Sequence, residues 1–328
     1  MKQYTLLFLF CSYLFYGQQH TSVEEFATSI TAQELKEHLY VYASDYFQGR
    51  ETGTLGQKRA IDYLQNFYTT SGIQAAKGTE NYLQPMELNI RDQIIQTENV
   101  VAFIEGSEFP NEYLVLSSHL DHIGINSKGE INNGADDDGS GTVALLEIAE
   151  AFKLAKDQNQ GPKRSIIFLH VTGEEKGLLG SKYYSENPLY PLADTMVNLN
   201  VDMIGRVNPK RENDDPNYIY LIGADKLSQE LHDISEATNE KYTQLALDYT
   251  YNDEKDPNRF YYRSDHYNFA KKNIPVIFYF SGTHEDYHRP GDTPDKILYP
   301  TLEKRTRLIF YTAWELANRP NKIKLNPN

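Results

Sequence analysis

Cysteine is almost missing from this chain of 328 residues, with Cys11 its only member. A lone thiol forms no internal disulfide, and without a cluster of thiolates any metal site must be built from imidazole and carboxylate. Positive charge is also in deficit: 32 Lys and Arg stand against 46 Asp and Glu, for a formal charge of −14. No Lys/Arg cluster offsets that excess, which argues against nucleic acid and anionic membrane surfaces as partners. Internal repeats, low-complexity tracts and long Pro/Gly-rich linkers are absent as well. One domain with a substantial core is the economical reading of a chain that is 40% hydrophobic.

The opening "MKQYTLLFLFCSYLFYGQQH" has one positive charge at Lys2, an apolar run from Leu6 to Tyr16, and then Gly17 followed by polar residues. This is the layout of a secretory signal peptide, residues 1–17 with cleavage near Gly17. The run is shorter than the roughly 20 residues of a membrane-spanning helix. Phe10 stands where a small residue would precede a lipid-modified cysteine. The expectation is therefore an exported protein, periplasmic or extracellular, whose mature chain has no cysteine and no integral membrane segment. Its formal charge becomes −15, since the leader removes one Lys and no acid.

Downstream, "TAQELKEHLYVYASD" places Leu35, Leu39 and Tyr42 at helical spacing, and "QKRAIDYLQNFYTTSG" repeats the pattern before Gly72. From Tyr113 onward, short apolar runs suited to buried strands alternate with helical stretches. "YLVLSS", "RSIIFLHVT", "TMVNLNV", "NYIYLIG" and "IPVIFYF" read as strands. "GTVALLEIAEAFKLA", "GLLGSKYYSEN", "KLSQELHDISEATNE" and "TLEKRTRLIFYTAWELAN" read as helices. The alternation predicts an α/β fold, with a mostly parallel central sheet and helices on both faces. In such sheets ligands sit beyond the carboxyl ends of the strands.

The chemistry-bearing residues fall at those ends. His119 and Asp121 follow the first strand as "HLDH", Glu174 and Glu175 follow the second as "GEEKGLLGS", and Asp202 closes the third as "DMIG". His288, in "EDYHRPGDT", comes shortly after the last strand, and "GADDDGSG" supplies Asp136, Asp137 and Asp138 just before a buried helix. A calcium loop of the EF-hand kind does not fit, because aligning Asp136, Asp138 and Gly139 to its third, fifth and sixth positions puts Gly134 first and Leu145 twelfth. Zinc suits a set of imidazoles and carboxylates, and one carboxylate can bridge two ions. Adjacent glutamates can then supply a base and a ligand.

"SSHLDH", "GADDDGSG", "VTGEEKGLLGS", "NVDMIG" and "DYHRPGDT", in this order and at these separations, resemble the di-zinc aminopeptidases of the bacterial aminopeptidase S type, and "FQGRETGTLGQKRAIDYL" is similar to the N-terminal part of bacterial members. The resemblance spans roughly residues 40–315. It implies the zinc-dependent exopeptidase fold and two Zn2+ ions per chain bridged by Asp137. His119 and Asp202 would complete one ion's ligands, and Glu175 and His288 the other's. Glu174 would be the general base, Asp121 would orient His119, and Tyr287 would donate to the developing oxyanion. His122, His170 and His284 have no matching ligand role, and Arg263, Ser264, Asp265 and His266 are similar to a segment lining the site.

The activity so implied is removal of N-terminal residues from peptides with a free N-terminus, through a hydroxide shared by the metals. The segment "LQPMELNIRDQIIQTENVVAFIEG" is too short for the protease-associated domain that many relatives insert, so residues 18–328 are expected to form a single peptidase domain. Two other readings stay open: a glutaminyl cyclase, which uses one zinc on the same fold, and a metal-free receptor-like or scaffold domain. Preferred N-terminal residue, peptide length, oligomeric state and any propeptide are not encoded in these motifs.

Overall fold

A computed structural model describes residues 22–213 and 215–327; the expected signal peptide and Cys11 lie outside the described residues. The described residues open with three helices, α1 (Val23–Ala27), α2 (Ala32–Tyr42) and α3 (Leu55–Thr70). Thr31 caps α2, its Oγ1 accepting the Glu34 N–H at 3.1 Å. There follow β1 (Gln74–Ala75), β2 (Leu83–Ile90), β3 (Gln93–Ile104) and β4 (Phe109–His119), then α4 (Gly141–Asp157), β5 (Arg164–Val171), α5 (Leu179–Glu186) and β6 (Thr195–Val201). The remainder is β7 (Tyr218–Ile222), α6 (Gln229–Tyr242), β8 (Ala246–Asp248), α7 (His266–Ala270), β9 (Val276–Phe280) and α8 (Tyr299–Asn318).

All of the strands join one sheet in the order β1-β3-β5-β4-β6-β9-β7-β8, with β2 also paired to β3. Its centre, β5-β4-β6-β9, is parallel as expected, whereas β3 runs antiparallel to β5 and β7 antiparallel to β9. The β2–β3 hairpin has no counterpart among the strands expected from sequence. Its two-residue turn, Arg91 and Asp92, takes φ of 50° and 64° without the Gly or Asn that normally marks such a turn. Pro85 is accommodated in β2 because β2 pairs on one side only.

Side chains alternate across the sheet with period two. Val100, Ala102 and Ile104 of β3 face a core shared with α1, α2, α3, α4, α6 and α8, while Val101 and Phe103 face a second core containing Tyr184 of α5 and Phe269 of α7. Helices thus cover both faces, and every residue of β5 is buried. A strand covered on both faces reads as a continuous apolar run, which is why β5 was legible.

Two buried ionisable side chains brace this scaffold. Arg50, fully buried, donates to the carbonyls of Asn133 (2.7 Å), Gly134 (2.8 Å) and Leu120 (3.2 Å), with Cζ 4.6 Å from the centre of the Tyr42 ring. It fastens the segment after β4 to the glycine-acid loop that precedes α4. Glu147 of α4 lies 3.6 Å from His38, and burial, together with Glu34 and Glu150, raises its carboxyl to about 9.

Replacing Arg50 by Met leaves the Asn133 carbonyl without a donor, and Leu120 and Gly134 with only the Tyr42 hydroxyl and the Gly139 amide, and should lower unfolding stability by about 3 kcal/mol in a denaturant titration. Protonated Glu147 is the form that folds without a charge penalty. Its favourable contribution is complete below the ordinary value of 4.5 and is lost as pH rises toward about 9. Glu147→Gln should therefore raise the melting temperature at pH 8 and change it little at pH 4.5, as read by calorimetry.

Candidate metal centre

The four parallel strands end at one edge of the sheet, and the expected site residues stand there. His119 is the last residue of β4 and Asp202 the first beyond β6. Glu174 and Glu175 lie in the turn after β5, and His288 lies in the loop after β9. Asp137 comes from the turn over Ala135–Ser140 that feeds α4. Gly134 makes that turn possible: its φ is +59°, and a Cβ there would sit 2.4 Å from the Asp137 carbonyl and 2.6 Å from the His122 ring.

Asp137 is the meeting point. One of its oxygens, Oδ1, lies 3.2 Å from His119 Nε2, and the other, Oδ2, lies 3.1 Å from His288 Nε2. His119 Nε2 is also 3.6 Å from Asp202 Oδ1, and His288 Nε2 is 3.2 Å from Glu175 Oε2. His122, given no ligand role from sequence, is fully buried beside this pair, with Nδ1 2.9 Å from Glu175 Oε1 and 3.7 Å from Asp137 Oδ2. Its signal was present in "HLDH", three residues after His119, but a second histidine in one motif does not disclose which carboxylates it will meet.

The neighbouring acids are received by main-chain amides. Asp138 accepts from the N–H groups of His119 (3.0 Å), Gly141 (2.9 Å) and Met203 (3.2 Å). Asp136 accepts from Gly205 (2.6 Å) and lies 3.4 Å from His284 Nε2, while Asp292 accepts from the amides of Asp136 and Asp137. These bonds lock the loop to the ends of β4 and β6 and to the segment after His288. The three acids are therefore not equivalent: two are anchors, and Asp137 alone faces His119, His122 and His288.

Asp121 holds His119 in an unexpected way. The ring donates from Nδ1 to the main-chain carbonyl of Asp121 at 3.0 Å, with the carboxylate 3.9 Å from the same nitrogen. That carboxylate instead accepts from the Glu174 amide (3.2 Å) and the Thr52 hydroxyl (2.8 Å). The contact at Nδ1 leaves Nε2 of His119 free to bind a cation.

Burial raises the Glu174 carboxyl well above its ordinary value, opposed by His119 and reinforced by Glu175. Burial acts in the same direction on Asp137, but His122, His119 and His288 outweigh it and hold that group well below the usual carboxylate range. Glu175 is held at about 2 despite burial and the Asp137 charge, because His122 and His288 face it.

The segment 263–266 divides. Ser264 donates to Asp202 Oδ2 at 2.7 Å, His266 lies 2.8 Å from the Tyr261 carbonyl, and Asp265 is buried, while Arg263 lines the cavity above the acids. Tyr287 stacks on His288 with ring centres 3.9 Å apart and lines the same cavity. His170 stands apart in β5, between the hydroxyls of Tyr68 (2.6 Å) and Ser118 (2.9 Å), and burial lowers it to about 3.

The donor set fits a metal. Ligand atoms of His119, Glu174 and Asp202 lie within 4.8 Å of one another, as do those of His122, Asp137 and Glu175. Asp137 Oδ2, Glu175 Oε1 and both nitrogens of His122 are buried and, close as they lie to one another, none of their contacts has hydrogen-bond geometry, the condition a bound cation would relieve.

Comparison with known proteins finds relatives in both sequence and fold. Over 295 residues the chain is 28% identical to leupeptin-inactivating enzyme 1 of Streptomyces exfoliatus, covering 82% of this chain and 57% of that protein, so it spans little more than half its relative's length. The fold is shared with the LapA aminopeptidase of Legionella pneumophila (TM-score 0.69, 21% identity, covering 90% of this chain and 75% of that one). It is shared equally with the glutaminyl cyclase of Porphyromonas gingivalis (TM-score 0.68, 19% identity, covering 86% and 97%). The profile described as Peptidase family M28 matches residues 99–313, well over half of the sequence, and the chain belongs to that family.

Proposed function

We propose that this chain is an exported zinc aminopeptidase, acting on peptides with a free N-terminus as a single catalytic domain with two Zn2+ ions. The observation that carries the reading is the position of Asp137, with one oxygen toward His119 and the other toward His288. Asp137 would bridge, His119 and Asp202 would serve one ion, and Glu175 and His288 the other. Two zinc ions, when bound, supply a water acidic enough to attack at neutral pH and polarise the scissile carbonyl.

The protein's own groups do the rest. Glu174, half-buried with its carboxylate beside His119 and Asp202, is placed to take a proton from the attacking water and return it to the leaving amine. Asp121 positions both partners at once, His119 through its carbonyl and Glu174 through its carboxylate. Tyr287 keeps its phenolic proton because burial and the nearby acids push its pKa up, so it can donate to an oxyanion. The carboxylates lining the cavity attract a substrate ammonium.

The likeness to a glutaminyl cyclase keeps a single-zinc transferase as the second reading. Complete ligands for a second ion favour the peptidase, and the same completeness argues against a metal-free scaffold. Glu174→Gln should retain zinc by elemental analysis while hydrolysis of leucine p-nitroanilide falls at least about 100-fold. Full activity in that variant would remove Glu174 as the base, and cyclisation of N-terminal glutamine without hydrolysis would favour the transferase.

A further inference from the structure

Arg263 is the one Lys or Arg among the residues lining the cavity, which otherwise presents carboxylates, imidazoles and a wall of aromatic rings. That wall is continuous: Phe260 and Phe280 have ring centres 4.9 Å apart, and Phe278 and Phe280 5.2 Å. Arg263 ends the short turn Phe260–Tyr262, its N–H bonded to the Phe260 carbonyl at 3.0 Å. Its guanidinium lies over the Phe260 ring, Cζ 4.8 Å from the centre. Among the described residues it forms no ion pair and no side-chain hydrogen bond.

What distinguishes it from other unpaired arginines, such as Arg259 and Arg289, is its place in the cavity lining. Arg206 pairs with Asp286 and Glu285, and Arg211 with Asp248, whereas Arg263 reaches into the cavity with no acid against it. A guanidinium stacked on a ring keeps its in-plane N–H donors free for a carboxylate, and stacking limits the side-chain freedom lost on binding. Its charge also repels a substrate ammonium and so favours seating the amine at the acids. The neighbouring Ser264 and His266 point to fixed partners, which leaves Arg263 as the member of its segment available to a ligand.

We propose that Arg263 is a specificity residue that receives a carboxylate carried by the substrate against the Phe260–Phe280 wall. The inference rests on the peptidase reading. The carboxylate has two possible sources, an acidic side chain on the N-terminal residue or the free C-terminus of a very short peptide. In either case the substrate presents an ammonium to the acids and an anion to Arg263.

The test measures kcat/KM for the zinc-loaded protein on two matched pairs: glutamyl against glutaminyl p-nitroanilide, and Leu-Gly against Leu-Gly amide. Arg263→Gln should lower the charged-to-neutral ratio about ten-fold in one pair, the worth of one charge-assisted hydrogen-bonded contact. Arg263→Lys should restore part of it, and raised salt should shrink the ratio in the parent protein. A change in the glutamyl pair identifies the side chain as the source; a change in the dipeptide pair identifies the C-terminus. Ratios that shift less than two-fold in both pairs overturn the inference while leaving the peptidase reading intact. No hydrolysis of any of the four substrates by the unsubstituted protein overturns both.

Discussion

Two buried carboxylates, Asp137 and Glu175, share three imidazoles at distances of 2.9 to 3.7 Å, and the rest of the structure serves that concentration of charge. Buried acids at such spacing repel one another unless cations receive them. The fold meets this demand in layers. The main-chain amides of His119, Gly141, Met203 and Gly205 receive the flanking acids Asp138 and Asp136, and Asp292 receives the amides of the loop itself. Arg50 then fixes the loop's own carbonyls from below. Asp137 is left with imidazoles as its partners, the arrangement a bridging ligand needs.

The parallel strands explain why these groups meet. Each strand is buried on both faces, so the position where it leaves the core is set by where its apolar run stops, and the first polar residue beyond is delivered to the common edge. His119, Glu174, Glu175 and Asp202 are placed in this way. The loop after β9 adds His288 and Tyr287, and the short turn before α7 adds Arg263 and Phe260, whose ring joins Phe278 and Phe280 of β9 in the aromatic wall. The cavity thus has an acid-rich part and a part with rings and one unpaired cation, a division suited to a substrate charged at two points.

Most of this was legible where an element has a strong local pattern. The continuous runs of β4, β5, β6 and β9 and the helical spacing of α2, α3, α4 and α8 are visible by eye, and so are the polar residues that end the strands. The β2–β3 hairpin and β8 were not, because the turn at Arg91 and Asp92 has no glycine to mark it and the three residues of β8 have no pattern, while β7 was expected as a strand but not as one antiparallel to β9. Arg50 looks like a surface residue in "FQGRETGT", since acceptors supplied by distant main-chain carbonyls leave no sequence signature. The hold of Asp121 on His119 is hidden for the same reason. His122 was visible but unassigned, because its role depends on the approach of Glu175 from another strand.

The central claim is that Asp137 joins two cation sites. Crystals of the zinc-loaded protein, measured above and below the zinc absorption edge, test it most directly. The account predicts two anomalous peaks about 3.5–4 Å apart, one on each side of the Asp137 carboxylate. A single peak, or a pair that Asp137 does not touch, would contradict it.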